Sequence, residues 1–201
     1  MPSAPALAPS HRATQPRRAR RLARTLLLAA LTTLLVLPSA PASAATRYPR
    51  LERLALSLMN CTRTGGWVKV DGTCKGRGSG RFSKYVKPIP LSDGISDRVA
   101  YPYAARLARA DACMHTLAGS SIDGRFAVGG YRGSTNGESI GCSGGYTARK
   151  MVIRTHRMMQ SEKSYNGWHW RNMKDPDWRR VGIGVAKVGI ESRVVYDFYG
   201  H

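Results

Sequence analysis

Residues 161–200 read SEKSYNGWHWRNMKDPDWRRVGIGVAKVGIESRVVYDFYG, and this stretch decides the fold. Val181, Ile183 and Val185 alternate with glycines, and Val194, Tyr196 and Phe198 alternate with other residues. Two period-two runs joined at Gly189-Ile190-Glu191 predict a β-hairpin. Before the hairpin, Glu162, His169 and Asn172 fall in a segment dense in Gly, Trp and Asn, expected as a loop. A His and a Glu on a loop beside a rigid hairpin form a candidate site, because scaffolds position functional loops. Two further candidates, His115 and Glu138, lie upstream beside Cys113 and Cys142. Trp168, Trp170 and Trp178 are read as packing residues or as the wall of a ligand cleft.

Working outward, Pro49 opens a helix in which Leu51, Leu54, Ala55, Leu58 and Met59 share a face, ending near Cys61. Asn60 and Arg63 at its end suggest a local cap or ion pair. Residues 62–90 look irregular, mixing lysines and arginines with Trp67, Phe82 and Tyr85; such a mix suits an anionic or sugar polymer. A helical pattern from Ile95 is interrupted or restarted at Pro102, and Val99–Met114 reads as a core helix delivering Cys113 and His115. Residues 116–137 look like loop, and NGESIGC reads as a short strand carrying Glu138. Thr147 caps a further helix with Met151, Thr155, Met158 and Met159 on one face, and His156 reads as an ordinary surface or core histidine. Helix, helix, strand, helix and hairpin together predict an α+β fold with helices packed on an antiparallel sheet.

The N-terminal segment has the three regions of a secretory signal: clustered arginines, the apolar run Leu26–Leu37, and Ala42-Ser43-Ala44 as a cleavage site. Residues 1–44 are therefore expected to be a leader and 45–201 one extracellular domain with no transmembrane anchor. The whole chain carries a net charge of +20; six of its 32 Lys and Arg lie in the leader, which has no acid, leaving 26 against 12, or +14. Such an excess favours polyanions, and export places anionic lipid or cell-wall polymer ahead of nucleic acid. Cys61, Cys74, Cys113 and Cys142 suggest two disulfides in an exported chain, with three pairings open. Pairing Cys61 with Cys74 closes a small Gly-rich loop; pairing Cys113 with Cys142 pins His115 near Glu138. A thiolate metal site is the alternative, although the close C-x-x-C pairs of zinc ribbons are missing.

His115, Tyr131-Arg132-Gly133, Gly137-Glu138-Ser139-Ile140, His169-x-x-Asn172, Val181-Gly-Ile-Gly-Val185 and Tyr196-x-Phe198, in this order, resemble the CAP superfamily. That group comprises cysteine-rich secretory proteins, antigen-five allergens and pathogenesis-related proteins, and the bacterial secreted branch is the most similar. Asn60-x-x-Arg63 and Pro90-Leu91 extend the resemblance over nearly all of residues 45–201. It implies a disulfide-stabilised α-β-α sandwich with a small antiparallel sheet between helices. It also implies a cleft lined by two histidines and two glutamates that, in some members, hold a divalent metal such as Zn²⁺. Carried over by motif, these are His115, His169, Glu138 and Glu162. Ser139 stands where the family usually has Asn, Met158 where it usually has Trp, and residues 162–168 lengthen the loop before His169.

Three functions follow. The first is a secreted module binding a lipid, cell-wall or other anionic ligand. The second is a metal-dependent hydrolase or protease, with water activated between His115, His169 and Glu138. The third is a basic protein acting through charge alone.

Overall fold

The computed structural model describes residues 44–132 and 135–200. The expected leader, apart from Ala44, and Gly133 of one motif lie outside the described residues. The fold is α+β. β1 (Thr46–Arg47), β5 (Trp178–Val188), β6 (Glu191–Gly200) and β4 (Asn136–Gly144) form an antiparallel sheet in that spatial order. The expected hairpin is β5–β6, turning at Gly189, whose φ of 56° lies in the left-handed region.

Side-chain alternation sends β5 and β6 to two different cores. Val181, Ile183, Val185, Val194, Tyr196 and Phe198 join the core made with α1 (Pro49–Arg63) and α5 (Ala148–Ser161). Ala186, Val195 and Ile140 join another, made with α3 (Tyr101–Arg109). Gly184 serves this second contact: a Cβ there would collide with the backbone of Ala100 and Tyr101. Helix and strand therefore meet there without side chains between them. Before α3 come α2 (Asp93–Ile95), capped by Ser92 Oγ, and a wider π turn over Ser96–Ala100. Pro102 is the second residue of α3, directly after the π turn, and the backbone stays helical through Ala100 and Tyr101, so the interruption expected at Pro102 is a change from π to α geometry rather than a break.

Four expectations need correction. First, the helix expected to run to Met114 stops at Arg109; Asp111 has φ 45°, and Met114 is 45% exposed, so His115 hangs from a loop. Second, the stretch expected as loop contains α4 (Ile122–Val128), capped by Ser121 Oγ accepting from Gly124 N. Third, the segment around His169 is helical: a 3₁₀ turn (Glu162–Tyr165) leads into α6 (Trp168–Lys174). Fourth, Met158 is exposed, while Met151, Thr155 and Met159 are buried as expected.

Cys61 pairs with Cys74 and Cys113 with Cys142. The first clips the two-residue strands β2 (Trp67–Val68) and β3 (Cys74–Lys75) to α1. The second ties the loop carrying His115 to β4, close to Glu138 in sequence. Among the described residues no helix is long and apolar enough to cross a membrane.

Asn60 and Arg63 do more than cap locally. Asn60 makes a two-way bond with the backbone of Ile89, donating to its O (3.0 Å) and accepting from its N (2.9 Å). Arg63, at the end of α1, is buried and donates to Lys87 O, Met173 O and Asp175 O, at 2.8–2.9 Å. Lys174, at the end of α6, donates in return to Thr62 O and Arg63 O. Each helix's last basic residue thus satisfies terminal carbonyls of the other helix, where the macrodipole favours a cation. Burial first, and the Arg63 charge second, pull the Lys174 ammonium down to about 8.

Candidate functional site

Glu138 is the second residue past Asn136 on β4, and its side chain is buried. Its Oε2 accepts from Arg125 Nη2 at 2.5 Å, and its Oε1 faces His115 Nδ1 at 2.8 Å. A carboxylate paired with a guanidinium accepts only, so His115 donates from Nδ1. Arg125 also donates to the backbone oxygens of His115 and Ser120, and its guanidinium stacks 3.5 Å from the Tyr103 ring centroid. One buried arginine therefore fixes the acid, the His115 loop and its own helix. The His115 side chain itself is 52% exposed.

The second pair is built differently. Gly167 opens α6 and has no side chain to cap it. Glu162 does so from the preceding turn, accepting from His169 N (2.9 Å) and Trp170 N (3.4 Å) through Oε2. Its Oε1 holds His169 Nδ1 at 2.6 Å. A carboxylate on the first-turn amides also complements the helix dipole. Gly167 is required for this approach, since a Cβ there would press on the Glu162 carboxyl and the Tyr165 ring.

Asn172 lies one turn after His169, so the two share a helix face. Its Nδ2 donates to Glu138 O (3.0 Å) and Ser139 Oγ (3.3 Å), which ties the His169 helix to the very residue that holds His115. The structure thus joins His115 with Glu138 and His169 with Glu162, and bridges the two through Asn172. Trp170 and Trp178 are packing residues, whereas Trp168 is 74% exposed under the Arg171 guanidinium.

Catalytic zinc sites use three protein ligands. Among the described residues no group of three or more His, Cys, Asp or Glu side chains is arranged to hold a metal ion. Both carboxylates are already committed, Glu138 to Arg125 and His115, Glu162 to His169 and two amides. The donors left over are the Nε2 of each imidazole, two where a catalytic zinc site uses three.

Two residues at the site escaped sequence reading. Arg125 sat in a Gly- and Ser-rich stretch; the signal was the Ser121-x-x-Gly124 cap just before it. Asp197 interrupts the apolar run VVYDFYG, and an acid at a buried position was itself the signal. It is fully buried and stands opposite Glu138 in the β4–β6 register. Burial first, then the Glu138 charge, raise its carboxyl well above the usual range. An acid whose folded pKa is raised contributes stability below its unfolded pKa and loses it as pH rises through the folded one. Asp197→Asn should therefore stabilise the protein at pH 8, with the gain vanishing near pH 3; thermal melts at both pH values check it, and a loss at pH 8 would show that the acid is used in ionised form.

Comparison with known proteins adds no identification: no family model, no curated protein and no solved structure matches this chain.

Proposed function

We propose that the chain is an exported, CAP-like binding module for an anionic ligand, such as a lipid head group or a cell-wall polymer. In this reading the basic surface collects the ligand, and one cleft between His115 and His169 receives it. The observation that carries the reading is the pairing itself. Each Nδ1 is held on an anchored carboxylate, so each ring offers only Nε2, as an acceptor when neutral and as a donor when protonated. Two cores on the two faces of the β5–β6 hairpin, one with α1 and α5 and the other with α3, support the α-β-α sandwich. Two disulfides fit the oxidising compartment that export requires.

The hydrolase reading gains less support. It needs a metal or a paired nucleophile, and the committed carboxylates leave neither Glu138 nor Glu162 free to act as a base on water. A divalent ion held by the two Nε2 atoms would belong to the binding reading as part of the ligand.

Tripolyphosphate is a suitable small anionic probe. Wild type should bind it saturably, with affinity falling as ionic strength rises. His115→Gln/His169→Gln should weaken binding by about tenfold or more, the loss expected when charge-assisted contacts are removed. An unchanged affinity in the folded double variant would remove the cleft from the function. Hydrolysis of a broad ester or peptide panel, lost in that variant, would favour the enzyme instead.

A further inference from the structure

The exposed face of α5 carries Arg149, Lys150, Arg154, Arg157, Met158 and Ser161, with no acid among them. Lys150, Arg154, Arg157 and Ser161 fall at i, i+4, i+7 and i+11, a single stripe whose neighbours stand roughly 5–6 Å apart. Two of these cations are held in place: Lys150 Nζ lies 4.8 Å and Arg154 Cζ 5.4 Å from the centroid of the Tyr146 ring.

Hollows flank and extend the stripe. One of about 440 Å³ lies on the side of Val70, and one of about 510 Å³ on the side of Ser143 in β4; both include Arg154 and Arg157. A third, about 580 Å³, runs from Arg157 past Lys69 to Trp67. A fourth, about 560 Å³, goes on from Trp67 to Arg81, Phe82 and Lys163. Shared residues chain these hollows into one track. Trp67 and Phe82 give it an aromatic floor, with ring centroids 6.3 Å apart. Among the described residues Asp71 is the one acid lining them, and its carboxylate is turned onto Thr73 N and Oγ1.

We infer that this track is the seat of a linear polymer bearing phosphate charges, laid along α5 and over Trp67 and Phe82. The inference rests on the anionic-ligand reading above and adds to the His115–His169 cleft a seat for the polymer in hollows that neither histidine lines. Charges strung in a line through successive hollows match an extended polyanion, whereas a compact anion needs cations converging on one point. A flat lipid surface would meet the ridge of α5 but not the hollows beside it.

The test uses inorganic polyphosphate chains of about fifty units beside tripolyphosphate, and phosphatidylglycerol vesicles as the membrane probe. Long chains should bind wild type at least about tenfold more tightly than tripolyphosphate, as expected when several charge contacts act together. Lys150→Glu/Arg154→Glu/Arg157→Glu should lose that advantage and reduce the slope of log affinity against log salt by about 2, near 0.7 per lost contact. Arg50→Glu/Arg53→Glu/Arg109→Glu, a control of equal net charge on other exposed positions, should keep both. Equal losses in the two triple variants would overturn the inference in favour of net charge alone. Vesicle binding without polyphosphate binding would overturn it in favour of a membrane. Wild type that binds no anion at all would overturn the anionic-ligand reading along with it, whereas wild type that binds tripolyphosphate through the histidines but shows no advantage for long chains would overturn only the track.

Discussion

Arg63→Ala should cost about 3–5 kcal/mol of stability, the largest effect expected of any single substitution in this chain's helix termini, because a buried charged donor is removed and its acceptors stay buried. Arg63 is among the largest fully buried side chains, so truncation leaves a cavity as well as three unpaired carbonyls. The damage should extend beyond stability. Met173 O and Asp175 O are at the end of α6, the helix that presents His169, so its position depends on this contact. Lys174 would lose a repelling neighbour, and its ammonium should titrate above the present value of about 8. Urea denaturation measures the first effect, and NMR titration of Lys174 the second. A loss below about 0.5 kcal/mol, the size of an ordinary surface substitution, would contradict the reciprocal capping of α1 and α6.

Acidification should weaken the fold through His156. The ring is fully buried, and burial pulls its pKa down to about 3. Its tautomer follows from its neighbours. Thr62 Oγ1 donates to Gln160 Oε1 (3.0 Å), so the 2.9 Å contact between Thr62 and His156 Nε2 must be donated by the ring. Nδ1 therefore carries the lone pair and has no partner among the described residues, and a proton added there finds no acceptor among them. A folded pKa below the unfolded value of 6.5 means that the unfolded chain binds the extra proton. Stability from this group is thus present above about pH 6.5 and lost as pH falls toward 3, by about 2 kcal/mol between pH 8 and pH 5. Asp197 works in the opposite direction, so the net pH curve is flatter than either contribution. Comparison with His156→Gln isolates the histidine: the stability difference between variant and wild type should move in the variant's favour by about 2 kcal/mol from pH 8 to pH 5. A pH-independent difference would mean that His156 is not the proton-linked group.

What could be read in the sequence was what local pattern controls. The hairpin followed from period two, the Glu138 strand from NGESIGC, and the Thr147 cap from residue type and position. What failed depended on distant partners. α6 looked like loop because its N-terminus is capped by Glu162, from the turn before Gly167, and its C-terminus by Arg63, from the far end of the sequence. α4 was hidden by Gly124, which a helix tolerates in its first turn beside a serine cap. Asn60 and Arg63 read as local caps because Ile89, Met173 and Asp175 are not visible from the sequence of α1. The four candidate site residues were found as two pairs; Arg125 and Asp197, which set the electrostatics around Glu138, are visible only once β4, β6 and α4 are brought together.

The proposed function depends most on His115 and His169 facing one ligand. Ring nitrogen resonances in a ¹⁵N-histidine sample, followed through a tripolyphosphate titration, measure this directly, with buried His156 as the internal reference. If one anion sits between the two rings, the Nε2 signals of His115 and His169 shift along one common isotherm while His156 stays still. Two separate isotherms, or silence at either ring while the protein binds the anion, would mean that the two histidines do not share a ligand.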